Sequence, residues 1–440
     1  MAGSERRPGR RAEIDAILER KPGVAETRDE ADRYTVVGAA SRSTFENWLT
    51  PIEEHFVCHR NAIPEPSGGD TGNAGGGDGE GSWTVSFTGD LDGELAVAEI
   101  VEAFPTVAVA HTMECAGNGR GQHDPETGSV QWGAEAVATA VWTGTPVSSL
   151  LRAQGVGPEA GDRDDGSGER SSRWLTAVGG DSLEDEEAFA RSIPLSKAID
   201  DAIVAYGMNG EALPAEHGHP VRLIVPGWYG VNSVKWLDEL RLMDSMVVEG
   251  SLDRPGTHAR WQQSDYRLHP AGEKPTPHGT VSEVDTTDQL ESPAVEHPYT
   301  FDETVMSLIG RPDGEGPVRP GTDGAVTIRG VAWAGEDGIE RVEVSTDGGE
   351  TWSDAALVGP DYPGAWRLFE RSWTADPGTH TLASRATDER GRRQPARISA
   401  PEEWETALED DEFPWNEGGY AANAYLPNAF AVDVEAGSRD

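Results

Sequence analysis

Lysine is almost missing from this sequence. Only Lys21, Lys197, Lys235 and Lys274 occur in 440 residues, so arginine supplies nearly all of the 36 basic side chains. Against them stand 78 aspartates and glutamates, for a formal net charge of −42. Such a surface repels nucleic acid and anionic membranes. It suits a concentrated salt solution, in which self-repulsion is screened. An acidic face made for one specific partner is the alternative.

Cysteine is equally scarce. Cys58 and Cys115 are the only two, enough for one disulfide and too few for a secreted disulfide framework. No apolar run approaches the length of a membrane span. The N-terminus carries Arg6, Arg7, Arg10 and Arg11 with no apolar stretch behind them, so neither a Sec nor a twin-arginine signal is expected. These absences predict a cytoplasmic protein with reduced thiols and without nucleic-acid or membrane partners.

What is present is enough for a folded interior. Hydrophobic residues make up 36% of the chain, and 14 tryptophans outnumber 9 phenylalanines. The length predicts two or three domains. Residues 1–45 read as a charged, partly helical extension over the surface. Residues 67–81 and 161–172 are low-complexity, rich in Gly, Asp and Ser, and read as flexible surface loops. Short strand-like runs at 83–87, 106–109 and 221–225, with helical patterns at 96–104 and 196–204, predict an α+β domain with mixed sheets over residues 46–290. Past about residue 290 the pattern alternates, at 325–333, 341–345, 366–373 and 379–386, with the turn Thr346-Asp347-Gly348-Gly349. This predicts an immunoglobulin-like β-sandwich over residues 291–440. No internal repeat is visible.

Two clusters carry chemistry. The first is Thr112-Met113-Glu114-Cys115-Ala116-Gly117-Asn118-Gly119-Arg120. An apolar strand delivers a thiol to a turn of small residues, which lets backbone approach a bulky ligand. Arg120 favours the thiolate that a metal needs. A lone cysteine is more often a small buried apolar residue than a ligand, and that alternative stays open on the residues alone. The second cluster runs from His217 to Trp236 and places His217, Arg222 and Lys235 on one loop–strand–loop unit. In so acidic a chain, three bases together suit a phosphate. Surface salt bridging is the bland alternative.

Taken together, the chain resembles the sulfite oxidase family of molybdopterin enzymes, which includes assimilatory nitrate reductase. The likeness runs from about Phe56 to the C-terminus. It is strongest at 112–120 and at 206–236, where Met208-Asn209-Gly210, Leu213-Pro214, His217-Gly218, Pro226-Gly227 and Val234-Lys235-Trp236 keep the family's order. The resemblance implies a molybdenum–molybdopterin cofactor with Cys115 as metal ligand and Arg120 near the substrate. It implies that Arg60 and Asn61 approach the cofactor, that His217, Arg222 and Lys235 contact its phosphate, and that Asp181 binds the pterin. Asp265 and Tyr266 match a pair whose Tyr points at the metal. The C-terminal part matches a dimerisation domain, so a homodimer is implied. Three positions depart from the pattern: Ala62 replaces a His, Phe189 a Tyr, and Gly418 the Arg that helps to hold sulfite.

The expected activity is oxidation of sulfite or a related small oxyanion, with electrons passed to an external acceptor and no haem in this chain. Reduction of an oxyanion or S-oxide on the same cofactor is kept open by Gly418, and a cofactor-free interaction protein is the third possibility.

The charge balance generates a prediction that is independent of the resemblance. At 0.01 M salt the screening length is about 30 Å and at 1 M about 3 Å. Self-repulsion therefore fades as salt rises. The melting temperature is expected to climb from low to molar potassium chloride; a flat or falling curve would favour the specific acidic face instead.

Overall fold

The computed structural model describes residues 15–21, 25–26, 36–59, 63–64, 83–158, 162–164, 170–181, 189–248, 251–252, 262–263, 266–273, 275, 284–292 and 294–436. The N-terminal half is built on two sheets. One has five strands in the order Ala190–Pro194, Trp174–Gly179, Leu237–Met243, Thr84–Gly89, Gly93–Ala96. It is mixed, because Leu237–Met243 runs parallel to Thr84–Gly89. The other orders Glu211–Ala212, Ile203–Met208, Val137–Pro146 and Val107–Glu114, with Arg222–Ile224 added to Ile203–Met208.

The helices are short. Val97–Ala103 and Val147–Ala153 bury one side each through Ile100, Leu150 and Leu151. The helix expected at 196–204 is Leu195–Asp200. Its predicted end, Val204, instead joins the β-branched run of strand Ile203–Met208, where such residues pack well. A continuous apolar core fills the space between sheets, with Trp174, Leu175, Leu223, Trp228 and Leu240 all buried. Indoles do much of the filling: Trp132, Trp142, Trp174, Trp228, Trp236 and Trp366 are among the largest fully buried side chains.

The C-terminal half holds two four-stranded sheets. One orders Met306–Arg311, Ala325–Trp333, Arg367–Thr374, Ala356–Val358; the other orders Ser353–Asp354, Ile339–Ser345, Gly378–Asp388, Phe430–Val434. Ile328, Phe369, Val342 and Leu382, from both sheets, share one core. The Asp347-Gly348-Gly349 turn is part of a longer loop. Strand Ile339–Ser345 pairs with Ser353–Asp354 beyond it, and Ser345 Oγ accepts from the Gly349 amide at 2.8 Å.

Two expectations gain detail. Residues 15–21 leave Asp15, Ala16, Glu19 and Arg20 exposed and dock by the other face: Ile17 is buried against Val57, and the buried Lys21 ammonium donates to the carbonyls of Ile52 and of His55, the latter at 3.0 Å. A lysine with so little water must spend its donors on backbone oxygens. In the low-complexity stretch at 161–172, Asp162–Asp164 pairs with Arg170–Ser172 as a small antiparallel ribbon. The stretch at 67–81 lies outside the described residues.

Several polar contacts tie the halves. Trp333 Nε1 donates to Glu114 Oε2 at 3.0 Å, and the Trp366 amide donates to Thr112 Oγ1 at 2.7 Å. These reach the strand that ends at Cys115. Elsewhere Arg390 pairs with Asp285 at 2.7 Å and Asp288 at 2.5 Å, at the start of helix Thr286–Glu291, and with Asp337 at 2.9 Å. Arg392 pairs with Asp337 and, at 2.7 Å, with the fully buried Asp388.

Removing one partner of a buried pair leaves the other charge uncompensated. Arg392→Ala is therefore expected to lower the unfolding free energy by about 3 kcal/mol. Urea unfolding measures it, and an unchanged midpoint would show that Asp388 does not depend on this arginine.

Candidate functional site

Strand Val107–Glu114 pairs with Val137–Pro146, Met113 facing Ala138 and His111 facing Ala140. The small partners leave room beside the strand's buried end. The chain then turns sharply. The Cys115 amide donates to the Ala136 carbonyl at 2.9 Å, and the Asn118 amide donates back to the Cys115 carbonyl at 2.8 Å. The Asn118 side chain locks the turn, donating to Glu114 Oε1 and accepting from the Ala136 amide, both at 2.9 Å. Gly117 leaves room for the Arg120 guanidinium: a Cβ there would lie 2.5 Å from Arg120 Nη2 and displace it.

Arg120 closes the turn from outside. Its Nε donates to the Gly418 carbonyl at 2.9 Å and its Nη1 to the Val130 carbonyl at 3.0 Å. Its guanidinium lies 5.1 Å from the Tyr420 ring centre, and the Ala421 amide donates to the Ala116 carbonyl at 2.8 Å. The C-terminal segment thus forms part of the site.

In the second cluster His217 and Arg222 are buried and Lys235 is partly buried, which disfavours the surface salt-bridge alternative. Arg222 is 2% exposed, and among the described residues no carboxylate lies within ion-pair distance of it. Its two Nη atoms donate to the carbonyls of His217 and Ser233, each at 2.9 Å, and its Nε has no partner among the described residues. Lys235 Nζ donates to the carbonyls of Cys58 at 3.1 Å and Glu216 at 3.0 Å. Burial and then the charge of Arg222 push the Lys235 ammonium down to about 7. Burial brings Arg222 down to about 9. Burial, followed by Lys21, holds the rings of His55 and His217 well below the usual histidine range, so both are neutral.

Cys115, Asp181, His217, Arg222, Lys235 and Tyr266 line a single cavity. Arg120 is not on its wall, because its donors are turned to backbone carbonyls. It acts on Cys115 by its charge and by closing the turn. Arg60, Asn61 and Asp265 lie outside the described residues. Three wall or border residues were not anticipated from the sequence. His55 lies in the wall, its ring 4.9 Å from that of His217. Its Nδ1 faces the Phe56 carbonyl at 3.1 Å, so in the neutral ring the proton sits there and the buried Nε2, without a partner among the described residues, is an acceptor. Cys58 also lines the cavity, and its thiol lowers that of Cys115. Tyr420 stacks on Tyr266 at 5.0 Å. A Cβ on Gly418 would come within 2.2 Å of the Tyr420 ring.

The cavity therefore has two chemical ends. A thiol, Cys115, stands at one. The hydrogen bond from Cys58 is the main reason it lies below the ordinary thiol range; Arg120 and the Gly117 amide assist, against burial. At the other end, Arg222 and Lys235 repel each other inside protein, which an anionic group would relieve. The donor set, a soft sulfur with buried cations and an imidazole acceptor, fits a metal-bearing ligand with a phosphate tail.

The comparisons with known proteins agree. Residues 77–249 match the oxidoreductase molybdopterin binding domain, and residues 298–402 match the Mo-co oxidoreductase dimerisation domain. The chain is similar to the sulfite oxidase of Gallus gallus, 31% identical over 80% of this chain and 70% of that one. It is also similar to the NADH nitrate reductase of Solanum lycopersicum, 28% identical over 81% of this chain and 37% of that one. Among solved structures, the sulfane dehydrogenase SoxCD of Paracoccus pantotrophus matches with a TM-score of 0.65 and 26% identity, covering 91% of this chain and 87% of that one. The chain spans 44–63% of the length of other animal sulfite oxidases.

Removing the Cys58 thiol should raise the Cys115 thiol toward its ordinary range, since the largest stabilising contact to the thiolate is lost. In chain made without cofactor, Cys115 alkylation is expected to rise with pH below the ordinary thiol range. In Cys58→Ala the midpoint should move upward. An unshifted profile would remove Cys58 from this role.

Proposed function

Since the chain belongs to the sulfite oxidase family of molybdopterin-dependent oxidoreductases, we propose that it oxidises sulfite, or a closely related small oxyanion, to sulfate, with an external electron acceptor. One observation carries this reading: Cys115, the buried cations and Tyr266 converge on one cavity. When bound, the molybdenum–pterin group supplies a soft two-electron centre for oxygen-atom transfer.

The chain's own residues would do the rest. Cys115 would donate its thiolate sulfur to the metal. Arg222, Lys235 and His217 would hold the phosphate, by charge-assisted hydrogen bonds and by a neutral ring. Asp181 would hold the pterin, and Arg60, Asn61 and Asp265 are assigned there by resemblance. His55 Nε2 would accept an N–H from the ligand. Tyr266, stacked on Tyr420, would orient the substrate by a hydrogen bond. Arg120 would keep the Cys115 turn closed and its field positive, and Arg60 would attract the anion.

The remaining elements of the reading follow the same resemblance. Residues 46–290 would form the cofactor domain behind an extension of residues 1–45. Residues 291–440 would form an immunoglobulin-like dimerisation domain. The protein would be a haem-free, salt-adapted, cytoplasmic homodimer. No helix among the described residues is long and apolar enough to cross a membrane. Gly418 favours a second substrate class. With the Tyr420 ring against it, the position offers no guanidinium to sulfite, which suits an S-oxide or other oxyanion reduced in the opposite sense.

The test is sulfite-dependent reduction of ferricyanide by purified protein, with molybdenum measured per chain. Cys115→Ser should lose most of the activity, because a hydroxyl is a poor substitute for a soft thiolate. Arg222→Ala and Lys235→Ala should each lower molybdenum content, since a charge-assisted contact contributes roughly 1.5–3 kcal/mol. Full cofactor in both would place the anchor elsewhere. Turnover of an S-oxide with none of sulfite would select the second reading.

A further inference from the structure

Residues 15–21 line no part of the cavity, yet they brace its cation end from behind. Ile17 is buried against Val57 of strand Val57–His59. Arg20 Nη2 pairs at 3.1 Å with Glu216 Oε2, in the turn Ala215–His217. The Lys21 ammonium, 1% exposed, donates to the carbonyls of Ile52 and, at 3.0 Å, of His55. Each contact falls on or beside a group that the cavity uses. Cys58 follows Val57, lines the cavity, and gives its carbonyl to Lys235 Nζ at 3.1 Å. Glu216 gives its carbonyl to the same Nζ at 3.0 Å. His55 is the wall histidine that meets His217. Strand Val57–His59 belongs to neither large sheet. Among the described residues it pairs with Val36–Ala39, which pairs in turn with Ala25–Glu26. The strand partners of this wall therefore come from the N-terminal segment.

We propose that residues 15–21 form a strap that retains the cofactor, with Lys21 as its positioning residue. Lys21 touches neither cofactor nor substrate. It holds residues 52–55 in place, and with them the His55 ring, on the side where His217, Arg222 and Lys235 stand. Two backbone oxygens shielded from water depend on its ammonium, and hydrogen bonds from a charged donor are the strong ones. Without that donor the carbonyls are left unsatisfied, and the wall they belong to loosens around whatever the cavity holds. The coupling runs both ways: a strap that slows departure of the cofactor is itself held more firmly when the cofactor is bound. Retention rests on the cofactor assignment; docking of the strap does not.

The experiment uses full-length protein loaded with cofactor, diluted and followed by molybdenum remaining per chain over time. Lys21→Met keeps the length of the side chain and removes its donors. Molybdenum is expected to leave it at least about tenfold faster, the factor that one lost hydrogen bond to a charged group supports. Ile17→Ala, which weakens the docking of the same strap without stranding a carbonyl, should also release faster, so the test survives if Lys21→Met does not fold. Val342→Ala truncates a buried residue of the C-terminal core; it lowers stability away from the strap and should release at the wild-type rate. Amide hydrogen exchange gives the reciprocal reading: residues 15–21 should exchange more slowly in the loaded chain than in chain made without cofactor. Wild-type release from both strap variants, equal release from Val342→Ala, or identical exchange with and without cofactor would overturn the strap and leave the cofactor assignment standing. A wild-type chain that carries no molybdenum from a host that makes the cofactor would overturn that assignment, and the strap with it.

Discussion

Everything around the cavity depends on positive charge held away from water. The buried Arg222 and the partly buried Lys235 lie close enough for Lys235 to feel the charge of Arg222, in a chain whose surface is overwhelmingly negative. Isolated buried charge is costly, and the fold meets the cost locally. Carbonyls of residues 58, 216, 217 and 233 accept from these two side chains. The loop and strand segments that supply those carbonyls are therefore fixed by the same groups that would meet an anion. Trp142 and Trp236 lie against the cations, excluding water and offering ring faces.

The thiol end is built differently. Its turn is held by amide side-chain bonds from Asn118 and by carbonyls that accept from Arg120. Its strand is braced from the C-terminal half by Trp333 and Trp366. Glu114, next to Cys115, is fully buried, and desolvation raises its carboxyl to about 8. A carboxyl kept neutral there adds no negative charge next to the sulfur. The tryptophan abundance seen in the composition thus serves packing and also supplies the N–H donor that satisfies this acid.

Local patterns made much of this legible. The 107–114 strand, the small-residue turn after it and the cationic unit at 217–236 have strong local signatures, and the family's motif order joined them. His55 was not legible. A single histidine between Glu54 and Phe56 has no periodicity or partner in sequence, and only the long-range fold shows that it meets His217. Tyr420 was hidden for the same reason, 154 positions from Tyr266. Sequence spacing also cannot show that two backbone carbonyls claim the Arg120 guanidinium. The end of the helix near residue 200 was missed because Ile203 and Val204 satisfy helical and strand periodicities alike.

The link between Arg120 and the Gly418 carbonyl spans 298 positions, and it orders events during synthesis. The turn that presents Cys115 leaves the ribosome long before the segment that closes it. Until residues 418–421 emerge, Arg120 lacks one acceptor and Ala116 lacks the amide of Ala421. The turn that carries Cys115 is closed by a segment 298 positions beyond Arg120. A chain truncated ahead of this segment would present Cys115 on an open, unbraced turn.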